Sequence, residues 1–293
     1  MKTEITDYRN KIIEKILAAQ DSSFRWGYDE KSAAVRADER HYSPKFRSTL
    51  WTLVMLAEIR APKDLPQVQP ALKILREQFY AAEYGVFRLP GMSHFPIPCL
   101  NGNMIYLHQY FQAAQLEEVD QAVRFFTVYQ RFDDGDFKTP KDFPYFGNQS
   151  CYGSHTCYWG AAKIFKGLTF IPSDKRSPAV QNLIGNCIDY ILQHEVCFGS
   201  RHPDKFLHPE MHKLTFPNFY KSDFLELLWL LAKEQVHDSK MNRALDLLRS
   251  RMNDDGEWEL EKLPNTLVST GPKNAENVFI TERAKEVLEY YRW

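Results

Sequence analysis

The sequence lacks an excess of charge of either sign. Its 37 Lys and Arg residues are balanced by 38 Asp and Glu residues, so the formal net charge over 293 residues is −1. A chain without a strong positive charge has no global electrostatic attraction to nucleic acids or anionic membranes. We therefore expect no nucleic-acid partner, and the binding of any anion would require a local cluster of basic residues.

Long apolar runs are also absent. No hydrophobic segment approaches the roughly 20 residues needed to cross a bilayer. The first 20 residues are charged and amphipathic, whereas a secretory signal peptide would be basic and then apolar. These absences predict a cytoplasmic protein without a membrane span.

Cysteine is scarce, whereas aromatic residues are abundant. Five cysteines in a chain of this length do not suit a disulfide framework, so free thiols or metal ligands are the better interpretations. The 20 Phe, 15 Tyr and 6 Trp residues exceed what a plain helical bundle needs. This excess indicates either an aromatic-lined cavity or an aromatic-rich core.

Helical periodicity continues from end to end, and no segment has a convincing strand pattern. Some segments are apolar nearly all round, namely residues 48–59, 101–115, 153–170, 218–235 and 277–291. Others are apolar on one side, namely residues 5–20, 71–78, 119–130, 178–193 and 238–252. We predict one all-α domain, residues 1–293, of about five helix pairs, with the apolar helices inside and the one-sided helices outside.

The connecting segments differ in length. Links from an inner to an outer helix are short, whereas links from an outer to the next inner helix are about 20 residues, longer than usual. The long loops should therefore gather on one rim, where every inner helix begins. Helix N-termini carry partial positive charge and unpaired N–H groups, so this rim favours a ligand with a negative group.

A repeated motif follows the one-sided helices, in which a polar anchor precedes a glycine or an aromatic residue. The anchors recur at intervals of 52 to 63 residues, and the matches are Gln20 with Trp26, Gln78 with Gly85 and Phe87, Gln130 with Gly135 and Phe137, Gln193 with Gly199, and Arg251 with Gly256 and Trp258. This pattern resembles the QW motif of the α/α-toroid superfamily, which includes squalene and related terpenoid cyclases and protein prenyltransferase β subunits. The resemblance implies an α/α toroid whose QW elements tie outer helices to loops.

Residues 99–104 (CLNGNM) and 153–160 (GSHTCYWG) are also similar to small bacterial squalene-cyclase-like proteins, which bring no established activity. The chain departs from the superfamily in two respects. The proton-donating DxDD run of class II terpene cyclases is missing, because Asp133, Asp134 and Asp136 spell DDGD within a repeated motif. Five helix pairs are also fewer than the six of the full-size toroids.

A zinc site is the sharpest hypothesis from the cysteines. Cys151, His155 and Cys157 have the spacing C-x3-H-x-C at the start of a predicted inner helix, and Cys99 or His94 would supply a further ligand. Prenyltransferases hold zinc with an Asp-x-Cys pair at such a position, which His155 and Cys157 resemble in spacing but not in identity. Lanthipeptide cyclases, another α/α toroid, bind zinc through two Cys and a His. The alternative is that these cysteines are small buried hydrophobes.

The predicted rim also carries aromatic and polar residues. As substrate-binding residues we propose Trp51, Asn101, Asn103, Tyr106, Tyr158, Trp159 and Tyr220, because aromatic faces stabilise cations. A packed aromatic core is the competing interpretation. Arg47, in a charged loop before an inner helix, would hold an anionic head, although a solvated loop explains it equally simply.

Asp223 and Glu226 lie three residues apart on an otherwise apolar helix. Burying such carboxylates is costly unless they are paired or functional, so we assign them as general acid or base, with His155 as a further catalytic candidate.

The expected function is that of a terpenoid cyclase- or prenyltransferase-like enzyme, with zinc as the candidate cofactor. Its substrate would be a small, apolar, isoprenoid-like molecule with a polar or anionic head. An α/α-barrel polysaccharide lyase or glycosidase is one alternative, and a non-catalytic lipid- or peptide-binding toroid is another. The sequence leaves the oligomeric state open.

Overall fold

A computed structural model describes residues 2–27, 42, 45–89, 96–111, 116–146 and 149–292, and within them α-helices predominate. The helices are α1 (Lys2–Ala18), α2 (Thr49–Glu58), α3 (Val68–Phe79), α4 (Pro98–Tyr110), α5 (Glu117–Tyr129), α6 (Gln149–Tyr152), α7 (Tyr158–Thr169), α8 (Pro178–Gln193), α9 (Phe224–Lys233), α10 (Asn242–Ser250) and α11 (Val278–Tyr290). The all-α prediction is confirmed.

The strands in the described part of the chain are two residues long. β1 (Tyr80–Ala81) and β2 (Val86–Phe87) pair antiparallel, with Tyr80 opposite Phe87, directly after α3. Strands this short leave no alternating pattern, which is why the sequence did not indicate them. Short 3-10 turns at Ser173–Lys175 and Ser239–Met241 precede α8 and α10.

The helices differ in burial as their sequences predict, except that α11, predicted to be apolar nearly all round, is buried at only six of its 13 residues. Every residue of α2 is buried, and so are most residues of α4, α7 and α9. In contrast, α3, α5, α8 and α10 are buried along one face only. None of the helices in the described residues combines the length and hydrophobicity required to span a bilayer.

Successive inner helices contact one another in chain order, α2 with α4, α4 with α7, α7 with α9 and α9 with α11. The first four of these inner helices also contact an outer helix, α2 with α3, α4 with α5, α7 with α8 and α9 with α10. The closest approach joins α4 and α7. A Cβ atom added to Gly102 would lie 2.2 Å from the backbone of Lys163, and one added to Gly167 would lie 2.8 Å from the Gly102 carbonyl oxygen. Only glycine permits this distance.

The repeated motif makes repeated hydrogen bonds. The indole of Trp26 donates to the Ile16 carbonyl of α1 (2.7 Å), and the indole of Trp258 donates to the Leu248 carbonyl of α10 (2.8 Å). The backbone N–H of each tryptophan donates to a threonine hydroxyl near the next inner helix, Thr49 (3.2 Å) and Thr281 (3.0 Å) respectively. Each tryptophan therefore ties an outer helix to an inner one.

Other repeats make related contacts. Phe87 N–H donates to the Asn101 side chain (2.9 Å), and Asp133 N–H donates to the Thr156 hydroxyl (3.0 Å). Anchor Gln20 donates to the Gln67 carbonyl (3.2 Å), just before α3.

Two inner helices begin later than their apolar pattern indicates. The helix predicted from residue 218 begins at Phe224, because Asp223 caps it, and the one predicted from residue 153 begins at Tyr158. Most of the charged loop before α2, namely residues 28–41, 43 and 44, lies outside the described residues. The candidate zinc ligand His94 also lies outside them.

Candidate functional site

A cluster of buried charges lies where the inner helices meet. Glu58 comes from α2, Lys163 and Lys166 from α7, Glu226 from α9 and Arg283 from α11. All five side chains are at most 5% exposed. Charged side chains are almost never this buried unless they are paired, so the cluster must be stabilised internally.

The pairing is extensive. Lys163 Nζ lies 2.6 and 2.9 Å from the two carboxylate oxygens of Glu226, and Lys166 Nζ lies 2.7 Å from Glu226 Oε1. Lys166 also pairs with Glu58, whose other oxygen lies 3.0 Å from Arg283 Nη2.

Asn218, in the loop before α9, completes the cluster. Its carbonyl oxygen accepts a hydrogen bond from Lys163 (3.1 Å), and its side-chain oxygen accepts one from Arg283 (3.0 Å).

Burial and ion pairing together shift the pKa values of the charged groups in this cluster. Burial alone would raise the pKa of Glu58, but Lys166, Arg283 and Lys163 outweigh burial and lower this pKa to about 2. Burial lowers the pKa of Lys163 to about 8, although the Glu226 carboxylate acts in the opposite direction. Glu58 is therefore ionised at neutral pH.

A pocket with a volume of about 270 Å³ reaches this cluster from the C-terminal ends of the inner helices. It is lined by Ala57, Glu58, Arg60, Tyr106, Tyr110, Phe170, Trp229, Lys233, Arg283 and Glu286. The predicted rim lies at the opposite ends of the same helices.

The mouth of this pocket combines aromatic faces with cations. Lys233 Nζ lies 4.7 Å from the ring centroid of Trp229 and 5.3 Å from that of Phe170, and burial lowers the pKa of Lys233. Glu286 is held by Arg60 at 2.5 Å and by the Trp229 indole at 3.0 Å. Among the described residues, Lys233 forms no ion pair.

Two of the predicted substrate-binding residues adjoin the cluster. Lys166 Nζ lies 4.3 Å from the ring centroid of Tyr106, and Asn103 donates to the Phe219 carbonyl (3.2 Å). Burial, together with the neighbouring Glu58 carboxylate, raises the pKa of Tyr106 well above its usual value.

Trp51 and Tyr220 lie at the predicted rim, opposite the pocket, and contact other aromatic rings. Trp51 meets Phe219 edge-on at 5.6 Å, and Phe46 stacks on Phe219 at 4.8 Å and on Tyr220 at 5.8 Å. Arg47 is exposed just before α2. These rings pack against one another at the predicted rim.

The other three predicted substrate-binding residues bond to the backbone of distant segments. The Asn101 side chain donates to the Phe87 carbonyl (2.7 Å), the Tyr158 hydroxyl to the Val196 carbonyl (2.6 Å), and the Trp159 indole to the Ser222 carbonyl (3.0 Å).

Asp223 and Glu226 occupy different environments despite their spacing. Asp223 is the N-cap of α9, where its carboxylate accepts hydrogen bonds from the backbone N–H groups of Glu226 (2.8 Å) and Thr215 (2.7 Å). Burial raises the pKa of Asp223 to about 6, against the effect of these N–H groups. Glu226 instead lies inside the charged cluster.

The cysteines near the start of α7 lie together, but the histidine does not join them. Cys157 N–H donates to the Cys151 carbonyl (2.9 Å), and the two thiols form a hydrogen bond. The hydrogen bond with Cys151 lowers the pKa of Cys157 to about 7, while burial opposes this shift. Burial and the neighbouring Cys157 raise the pKa of Cys99 to about 12. His155 is more than half exposed, with Nδ1 3.4 Å from Asp134 Oδ1.

The described residues do not by themselves assemble a four-ligand zinc site. Within the described ranges, no three or more His, Cys, Asp or Glu side chains are grouped to hold a metal ion. Cys151 and Cys157 are in contact, but His155 faces Asp134. Zinc binding remains a prediction that elemental analysis of tag-free protein can test.

Neither a protein-family model nor a curated protein sequence matches this chain. Four residues of the charged cluster were not singled out from the sequence, although a signal existed for three of them. Glu58, Lys163 and Lys166 each interrupt an apolar stretch of a predicted inner helix with a charge, as Glu226 does, so the same reasoning identifies them. Arg283 is different, because residues 277–291 also contain Glu282, Lys285, Glu286 and Glu289, and the sequence does not distinguish it from them.

Proposed function

We propose that the pocket at the C-terminal ends of the inner helices binds a small molecule with an anionic head and an apolar body. The observation that carries this proposal is Lys233, an exposed side chain that forms no ion pair among the described residues and whose ammonium group lies over the faces of Trp229 and Phe170. An anion would pair with Lys233, and the aromatic walls would cover the apolar body.

Pocket size narrows the class of ligand. A volume of about 270 Å³ is at the lower end of the range for small-molecule sites. A short isoprenoid or a compact aromatic anion suits it better than a long polyprenyl chain. Such a ligand has the isoprenoid-like body and anionic head that the resemblance to terpenoid cyclases and prenyltransferases implies for the substrate.

An α/α toroid is the fold we propose around this pocket. Contacts in chain order from α2 to α11 support it. The two ends of that series are joined by Arg283 with Glu58 and by Arg60 with Glu286.

Binding has more support than turnover. The aromatic faces of Tyr106 and Trp229 already carry the protein's own cations, Lys166 at 4.3 Å and Arg283 at 4.6 Å. A substrate carbocation at those faces would meet positive charge. The pKa of Glu58, about 2, also makes this carboxylate a weak base at neutral pH. Cyclase- or prenyltransferase-like catalysis is therefore the second proposal, and product analysis after incubation with short prenyl diphosphates would test it.

Calorimetric titration with dimethylallyl phosphate and with the matched alcohol tests the binding proposal. We expect the phosphate to bind and the alcohol to bind at least about tenfold more weakly, because one charge-assisted contact contributes about 1.5–3 kcal/mol. Lys233→Met should remove this preference. Lys240→Met, which removes an exposed lysine from a 3-10 turn, is the matched control and should keep it.

Equal binding of the phosphate and the alcohol would refute an anion-binding pocket. A screen of acidic oligosaccharides would detect the polysaccharide lyase or glycosidase alternative. Co-purification of a neutral lipid whose binding is insensitive to Lys233→Met would instead favour the lipid-binding alternative.

A further inference from the structure

Cys151 and Cys157 face each other across a tight backbone turn. Tyr152 and Thr156 form an antiparallel bridge, and Cys157 N–H donates to the Cys151 carbonyl (2.9 Å). The two cysteines therefore lie opposite each other, one residue outside this bridge, and opposite residues of an antiparallel pair have Cα atoms roughly 4.5–5.5 Å apart. A disulfide requires Cα atoms about 4.4–6.8 Å apart, and this range includes the spacing of opposite antiparallel residues.

The surroundings of the two sulfur atoms differ. Cys157 is the N-cap of α7, a twelve-residue helix whose first N–H groups, at Trp159 and Gly160, favour negative charge on its sulfur. Cys151 lies within the four-residue helix α6 and is not at such a helix terminus. Cys157 is thus the better nucleophile, and Cys151 is placed to attack it afterwards.

Solvent exposure distinguishes Cys151 and Cys157 from the buried thiols of the chain. Cys151 and Cys157 are partly exposed, whereas Cys187 and Cys197 are fully buried. Burial in apolar surroundings makes a thiol unreactive. Cys99 is also partly exposed, but lies at the start of α4 rather than across the turn.

We propose that Cys151 and Cys157 form a thiol–disulfide exchange site whose substrate is a small disulfide. The Cys157 thiolate attacks one sulfur of the disulfide, forms a mixed disulfide and releases the other half as a thiolate, which takes a proton from water. Cys151 then loses its proton to water and attacks the Cys157 sulfur, which releases the second half. One small disulfide is thereby reduced to two thiols while the two cysteines are oxidised to one disulfide.

Oxidation of the intact chain by glutathione disulfide tests this proposal. The reaction is quenched with acid, free thiols are alkylated, and the tryptic peptide containing residues 151–157 is analysed by mass spectrometry. No Lys or Arg lies between the two cysteines, so the expected product is one peptide that has lost two hydrogen atoms and carries no alkyl group. Cys157 should react at least about tenfold faster than Cys187.

Variants assign the two roles. In Cys151→Ser, oxidation should stop at glutathione bound to Cys157, and in Cys157→Ser, Cys151 should remain largely unmodified. Cys187→Ser, a matched control elsewhere in the chain, should leave the exchange unchanged. Circular dichroism of each variant verifies the helical fold.

Three results would overturn the proposal. These are a glutathione adduct on Cys157 that persists while Cys151 is present, a disulfide between Cys157 and Cys99, and stoichiometric zinc that holds both thiols and is lost in either variant.

Discussion

Lys163 and Glu226 form an ion pair with no solvent exposure, in which the ammonium nitrogen contacts both carboxylate oxygens at 2.6 and 2.9 Å. Glu226 also contacts Lys166 at 2.7 Å, so one carboxylate partners two ammonium groups. Glu58 holds Lys166 and Arg283 in the same way. Removing either carboxylate would therefore leave buried positive charge without its partner.

Glu226→Gln should strongly destabilise the fold. The substitution keeps the shape of the side chain but leaves buried Lys163 without a carboxylate partner and Lys166 with Glu58 alone, and breaking a buried pair in this way costs about 3–5 kcal/mol. Urea denaturation followed by circular dichroism measures the free energy of unfolding. Asp246→Asn, in an exposed pair with Arg249, is the control and should change it by less than about 0.5 kcal/mol. A loss below about 1 kcal/mol for Glu226→Gln would mean that the cluster does not act as a unit.

The stability of the protein should depend on pH through Asp223. Its pKa is about 6 in the folded protein against an ordinary value of 3.8. Between these values the folded state holds a proton that the unfolded chain has lost, so this group lowers the free energy of unfolding as pH rises from about 4 to about 6. Asp223→Asn removes the effect while keeping an N-cap oxygen.

The difference in unfolding free energy between this variant and the wild type isolates Asp223 from other titrating groups. It should shift in favour of the variant by about 3 kcal/mol over that pH interval. Denaturant titrations at several pH values from 4 to 7 measure it. A difference independent of pH would contradict the raised pKa.

Gly102→Ala and Gly185→Ala should have opposite effects. At Gly102, the new Cβ would lie 2.2 Å from the Lys163 backbone, so α4 and α7 must separate, which costs at least about 2 kcal/mol. At Gly185 of α8, nothing lies within 4 Å, and the gain in helix propensity should stabilise the fold by about 0.5–1 kcal/mol. Thermal unfolding compares the two variants. Equal melting temperatures would show that α4 and α7 do not depend on this contact.

Trp26→Phe and Trp258→Phe should destabilise the protein by similar amounts. Each substitution removes one buried indole hydrogen bond to an outer helix, of 2.7 and 2.8 Å respectively, and this loss costs about 1–3 kcal/mol. Chemical denaturation of both variants tests the equivalence. If only one substitution is destabilising, the two motifs share geometry but not energetic importance.

Much of the helical fold was predictable from the sequence, because periodicity is a local property. The apolar pattern located α2 as residues 48–59, where the structure has Thr49–Glu58, and α11 as residues 277–291, where the structure has Val278–Tyr290. The late start of α9 was missed, since the pattern registers burial and not the cap at Asp223. The candidate site was harder to predict. Glu226 was recognised as a costly buried charge, but its partners on other helices were not.

The sequence by itself determined which segments are helices, that α2, α4, α7 and α9 are largely buried, and where polar anchors recur. Each of these depends on neighbours within a few turns of the same helix. Tertiary structure alone decided that Glu58, Lys166 and Arg283 meet at one point, since they come from three helices. It also decided that the pocket opens at the C-terminal ends of those helices. Ion pairing between distant segments depends on how helices pack, and a local pattern carries no information about that packing.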